Sequence, residues 1–411
     1  MANAAAEDAE QDIGEEGAGN PVGRAFLALC LVAFLNSFLT SPFSALFPVY
    51  VDADLGRLPF FTGYLKALML VLGGIFAMVS GRLCDTWGRK TTLLIGLAGS
   101  LFSGLVFRWQ DPWMLTLLVF IIGLAAGPWS TAGQSYLIAS VTSRRLGLGS
   151  ALYFLSGTAG NSLGSLATGV AIETWNFPQI GLGMSLGVAA LFVLALVVLP
   201  SGKDSTTDQS RQKLALWTAY KPLLRQRNVH LLIGLRYSIT SFWGMASLVM
   251  PLLIYRVSGS EAMAAYYAAI SLAVAAAGQL LTGHLRDRYG QFWPFLVSAA
   301  GVVLSALGLA LFWHSLDGLF VFGTALTTTA WAVSTLVPGI INDVAGPEEK
   351  NRLVGLGHTV WSGAMASGSL IGGLLVEVDP AAPFFVGGVL ASIGTFCGWR
   401  LCLILRTAQS P

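Results

Sequence analysis

Long apolar runs, each closed by Pro, Gly or a knot of charge, divide this chain from residue 25 almost to its end. Twelve of them reach the roughly 20 residues that a helix needs to cross the hydrocarbon core of a bilayer. They lie near 25–50, 60–81, 91–108, 113–140, 147–172, 179–199, 229–254, 262–283, 292–313, 318–343, 353–377 and 383–405. Such runs far exceed the alternating segments of a membrane barrel, so each predicts a transmembrane helix. The interruptions are short except one, residues 201–228, which leaves six spans on either side. The pattern predicts an all-α polytopic membrane protein with two six-helix units, 22–200 and 229–406, flanked by tails 1–21 and 407–411. The central loop begins rich in Ser and Asp and ends with Leu214, Trp217 and Leu223–Leu224 among cations. It is either an amphipathic helix at the membrane surface or a plain linker.

Composition agrees with the pattern. Only 11% of residues are charged, against about 25% in soluble domains. The net charge of +2 is spread along the chain, without the basic patch a nucleic-acid partner requires. Cys30, Cys84, Cys397 and Cys402 sit in or beside apolar runs without metal-ligand spacing and read as small hydrophobes. No metal or other cofactor is expected. Residues 1–21 carry six acids and no cation, which predicts a solvated, disordered tail that lacks the basic start of a signal peptide.

With the N-terminus placed in the cytoplasm, 18 of the 23 Lys and Arg fall on the cytoplasmic side. These are Arg24, Arg82, Arg89, Lys90, Arg144, Arg145, six in the central loop, Arg286, Arg288, Lys350, Arg352, Arg400 and Arg406. Arg57, Arg108 and Arg256 fall outside, and Lys66 and Arg236 within spans. This bias places both termini in the cytoplasm and predicts a multi-pass protein of the cell's inner (plasma) membrane.

The chain also repeats itself. An offset of 202 residues lays Gly81, Leu83, Asp85 and Gly88 on Gly283, Leu285, Asp287 and Gly290, Tyr64 on Tyr266, and Trp129 on Trp331. At 204, GSLATGVAIE (164–173) matches GSLIGGLLVE (368–377), and at 203 Pro48 meets Pro251. Each half therefore reads as a copy of one six-helix unit, as in transporters built from repeats. The stretch Gly81–Lys90, GRLCDTWGRK, resembles the signature loop between spans two and three of the major facilitator superfamily, through Gly81, Leu83, Asp85, Gly88, Arg89 and Lys90. Twelve spans, a long central loop and a weaker copy of the motif (Gly283, Asp287, Arg288, Gly290) extend the resemblance over residues 22 to about 406. Thr86 departs from it, since the family usually has Arg there.

Glycines at 81 and 88 permit backbone approach and turn dihedrals closed to larger residues. The resemblance implies that Asp85 lies near the start of span eleven, where a helix dipole favours an anion. It also implies that Arg89 completes a charge cluster holding the halves together in an outward-open state. The competing reading is a loop whose cations only set orientation. A phosphate-binding loop is excluded, because six residues rather than four separate Gly81 from Gly88 and Arg follows the second glycine.

The resemblance further implies a central cavity lined by spans one, four, seven and ten. Candidate substrate contacts are Asn36, Trp129, Gln134, Arg236, Trp243 and Trp331, joined by Tyr153, Asn161, His358 and Trp361 from spans five and eleven. That aromatic, mildly polar set suits an amphipathic organic molecule; packing between helices is the alternative for each residue. Charges inside spans are the sharper signal, at a cost of about 2.5–3.5 kcal/mol each. Lys66 is placed to snorkel to the outer face. Arg236, roughly 10 Å deep, contacts either an anionic substrate group or helix-end carbonyls and lipid phosphate. No Asp or Glu falls at the middle of a span; Asp52, Asp54, Glu173 and Glu377 sit near outer ends. Val119 stands where the family's antiporters often place an Arg, and Asn161 follows Gly160 where exporters have Pro. Proton coupling is weakened and left open, with His358 as a titratable candidate.

The sequence thus predicts a secondary transporter working by alternating access, not an enzyme, monomeric, with the lipid bilayer and a small-molecule substrate as partners. Export of an amphipathic compound is the first reading. Uptake or exchange of an organic anion through Arg236 is the second. A transport-inactive receptor or scaffold is the alternative of another class.

Overall fold

The computed structural model describes residues 23–141, 146–200, 221–344 and 349–409. The acidic tail, Arg144, Arg145 and the stretch with Leu214 and Trp217 lie outside them, as do the side chains of Asp85, Lys350 and Arg352. Among the described residues there is no strand. The amino half holds α1 (Arg24–Val49), α2 (Pro59–Trp87), α3 (Arg89–Leu105), α4 (Pro112–Ser140), α5 (Leu146–Ile172) and α6 (Phe177–Val198). The carboxy half holds α7 (Arg227–Ser258), α8 (Glu261–Tyr289), α9 (Phe292–Phe312), α10 (Leu316–Val344), α11 (Lys350–Val378) and α12 (Ala382–Gln409).

Eleven of the twelve helices are long and apolar enough to cross a membrane. The exception is α5, one fewer than the runs suggested. Its Ser150, Ser156, Asn161, Ser162 and Ser165 dilute the apolar content, and the helix packs between α1 and α8. Helix ends follow local chemistry. Asp111 caps α4 by accepting from the Trp113 and Met114 amides at 3.0 and 3.1 Å, and Asn176 with Gln179 forms a reciprocal box at the start of α6.

Within each half, α5 lies on α1 and α11 lies on α7. A Cβ on Gly160 would meet the Phe34 carbonyl oxygen at 2.2 Å, one on Gly164 the Phe38 oxygen at 2.3 Å, and one on Gly368 the Ser241 oxygen at 2.0 Å. The small-residue stripes are therefore packing surfaces. The halves join along two seams, α2 against α11 and α5 against α8. Gly63 rests on the Ser369 carbonyl and Gly373 on Pro59 and Phe60, while Gly74 touches Ser362. Two turns further along α2, a Cβ on Gly81 would meet nothing within 4 Å. The halves are thus closed at the face opposite the termini, and α2 parts from α11 toward the termini face.

Gly88 and Gly290 end α2 and α8 with φ 84°, ψ 154° and φ 74°, ψ −178°, a region essentially reserved for glycine. Gly88→Ala is expected to lower unfolding stability by about 1–3 kcal/mol. Gly81→Ala, helical and in open space, is expected to be neutral or to stabilise by up to about 1 kcal/mol. Thermal melting of the purified variants checks both.

Candidate functional site

The end of α2 and the start of α3 carry the first signature loop. Gly88 supplies the turn, and its carbonyl accepts from Thr92 Oγ1 at 3.0 Å. Lys90 Nζ donates to the Leu196 carbonyl of α6 at 2.7 Å, tying the loop to its own half. Thr86, in the departing position, returns its hydroxyl to the Arg82 carbonyl at 2.9 Å. Leu83 and Arg89 are half-buried. The close approach expected at Gly81 is not made in this arrangement, nor at Gly283, whose added Cβ would also meet nothing within 4 Å. The second copy is anchored differently. The Arg286 guanidinium covers Gly339 on α10, and Gln291 Nε2 donates to Asp343 Oδ2. Asp287 is exposed, and Arg288 lies 5.4 Å from the Tyr289 ring.

Arg236, on α7, reaches α10 and donates from Nη1 to Ser334 Oγ at 3.0 Å. Its Nε is buried without a partner. Lys66 does not snorkel outward. Its Nζ crosses from α2 to α7 and donates to the Ser247 carbonyl at 2.8 Å, with Ser247 Oγ at 3.5 Å. The reason is local: Ser247 offers its main-chain oxygen, and a hydroxyl oxygen that still accepts while its proton goes to the Gly244 carbonyl at 2.9 Å. Both cations are held by neutral oxygens, and among the described residues neither has a carboxylate partner. Arg236 and Ser247 lie on the same helix, so the two stations are about 16 Å apart along it.

The remaining candidates divide. Trp129 seats its backbone and Cβ over Gly96 of α3, and Tyr153 is buried with its hydroxyl over Gly133. The buried Tyr153 thus packs within the amino half, while Trp129 makes its contact with main chain and Cβ and stays half-buried. Trp243 packs partly buried against the main core. Asn36 and Asn161 each keep a buried side-chain oxygen without a partner. Gln134, Trp331 and Trp361 are half-buried, while His358 is exposed on the part of α11 that has left α2. On the α7–α11 pair, the Tyr237 hydroxyl meets Ser367 Oγ at 2.9 Å. Arg236 is the candidate whose side chain bridges two helices, through Ser334. A groove of about 600 Å³ between α9 and α12, lined by residues such as Ala306, Phe385 and Phe396, is apolar and on the rim, away from these groups.

Sequence reading missed the contacts that close the opposite face. Arg256 clasps Asp52 through Nη2–Oδ1 at 2.5 Å and Nε–Oδ2 at 3.1 Å. The Phe60 amide donates to Glu377 Oε1 at 2.8 Å, and the Tyr266 hydroxyl to Glu173 Oε1 at 2.9 Å. The repeat held part of the signal, because Glu173 and Glu377 are matched at an offset of 204, whereas Asp52 and Arg256 are not matched by the local offsets of 203 and 202.

Comparison with known proteins bears on this arrangement. A profile described as Major Facilitator Superfamily matches residues 29–339. An MFS-type transporter of Gibberella moniliformis is 23% identical over 82% of this chain and 80% of its own. The enterobactin exporter EntS of Salmonella typhi is 26% identical over 92% and 93%. Among solved structures, a mutant of the nucleoside transporter NupG superposes with TM-score 0.76 at 14% identity, over 92% of this chain and 99% of that one. A bacterial homologue of the human lysosomal transporter Spinster, inward-facing and unoccupied, gives 0.67 at 16% identity, over 93% of both chains.

Proposed function

Because this chain belongs to the major facilitator superfamily, we propose that it exports a small amphipathic organic compound, its two six-helix halves rocking about a midplane site to give alternating access. The termini face is then cytoplasmic, as the distribution of Lys and Arg requires. The observation that carries the reading is the polar and aromatic chemistry shared by α7, α10 and α11. The Arg236–Ser334 pair joins α7 to α10 and the Tyr237–Ser367 pair joins α7 to α11, while His358 is exposed and Trp361 half-exposed on α11. Rings, hydroxyls and one cation together accept a molecule with an aromatic body and a polar head. An enterobactin exporter among the relatives supports the direction.

One observation favours a second reading, uptake or exchange of an organic anion. Lys66 and Arg236 are cations at membrane depth compensated only by neutral oxygens, and an anionic group in their path supplies the missing charge.

Purified protein in liposomes tests both readings. Flux of uncharged and acidic aromatic amphiphiles is followed with and without an imposed pH gradient. Export predicts movement from the termini side for either class. Flux confined to acids supports the second reading. Binding seen as thermal stabilisation without any flux would leave a receptor.

A further inference from the structure

Helices α10 and α11 both pack on α7 but scarcely on each other, so a wedge is left where the three diverge. Leu232 and Arg236 of α7, Val337 and Ile341 of α10, and Leu353 and Gly357 of α11 line it. Gly357 keeps it open. An added Cβ there would meet Ile341 Cδ1 of the facing wall at 3.7 Å, an ordinary contact, and take up the space between. The cavity measures about 10 Å³, enough for the centre of one water-sized body and no more.

Arg236 is the one polar side chain in that wall; the rest is aliphatic or glycine. A guanidinium carries five N–H donors and stays charged at every accessible pH. One donor reaches Ser334 Oγ at 3.0 Å, while Nε is buried without a partner. Ser334 accepts that bond and still has its own proton to give. Among the described residues no carboxylate pairs with Arg236. A cation taken out of water without a counter-charge is costly. A water molecule in the wedge would satisfy Nε but could not cancel the charge. A carboxylate- or phosphate-bearing molecule exceeds the space. A single-atom anion meets both the charge and the size.

We propose that the wedge between α7, α10 and α11 is a halide site, holding one chloride against Arg236 with Ser334 as a second donor. The ion lies inside the carboxy half, so it stays in place when the two halves move, and it neutralises a cation at membrane depth. The site depends on this wall and on neither reading of the cargo. Its test reads no flux, so its failure would leave both readings standing.

Melting of the full-length purified protein in potassium gluconate, sulfate, chloride and bromide of equal ionic strength tests it. Chloride and bromide are expected to raise the wild-type melting temperature over gluconate by about 2–5 °C at a hundredfold excess over the dissociation constant. Arg236→Ala, melted in the same salts, is expected to show only what each anion does at any protein surface, and this is subtracted. Gly357→Ala leaves Arg236 in place and fills the cavity with a methyl group that makes no clash. It is expected to fold normally and to lose halide affinity by about tenfold or more. The site is refuted if wild type and Arg236→Ala respond alike to all four salts, which would leave a water in the wedge. It is refuted equally if sulfate matches chloride after the subtraction, or if Gly357→Ala keeps the full halide response.

Discussion

Gly368→Val is expected to cost more than about 3 kcal/mol, at or above the top of the usual range for overpacking, and to remove most folded protein from membranes. An added Cβ would stand 2.0 Å from the Ser241 carbonyl oxygen and 2.9 Å from its carbon. Both atoms are backbone, so no rotamer relieves the clash and α11 must leave α7. Gly164→Val is expected to do the same to α5 on α1, where the obstacles are Phe38 O at 2.3 Å and Ser41 Oγ at 2.4 Å. Gly363→Ala is the control, because its added Cβ meets nothing within 4 Å. Size-exclusion profiles after a temperature series measure all three. Equal losses at Gly363 and Gly368 would show that the packing account is wrong.

Arg236→Ala is expected to reduce flux of an acidic amphiphile by about 10- to 100-fold, the equivalent of losing charged hydrogen bonds of about 1.5–3 kcal/mol. Stability should move the other way or not at all. A guanidinium with one hydroxyl partner and an unpaired buried Nε is under-compensated, and removing such a charge is often neutral or stabilising. Arg236→Lys is expected to recover only part of the flux, since a point charge lacks the planar fork. Liposome flux and melting temperature, measured on the same preparations, separate a cargo role from a folding role. Unchanged flux in Arg236→Ala would take this residue out of the pathway.

The spans were legible because a bilayer leaves little choice: a run such as 292–313 has only one stable form in hydrocarbon. The glycine stripes were legible for a related reason, since repeated small residues at helical spacing have few uses except close approach. The two signature turns were readable through Gly88 and Gly290, whose dihedrals only glycine tolerates. Side-chain destinations were not readable. Lys66 had several carbonyls and the membrane surface within reach, and only the placement of α7 selects Ser247. Tyr153 carries the chemistry of a binding site, yet its hydroxyl rests over Gly133 inside one half. A ring's chemistry does not reveal which neighbour lies under it. Gly81 shows the limit of a motif: the close approach expected from its spacing is not made in this arrangement.

The Asp52–Arg256 clasp also bears on how the protein is made. Its two charges come from opposite halves of one polypeptide, so the contact has no partner until α7 has been synthesised. Joining the halves in one chain then supplies both charges together, where two separate chains would have to find each other by diffusion.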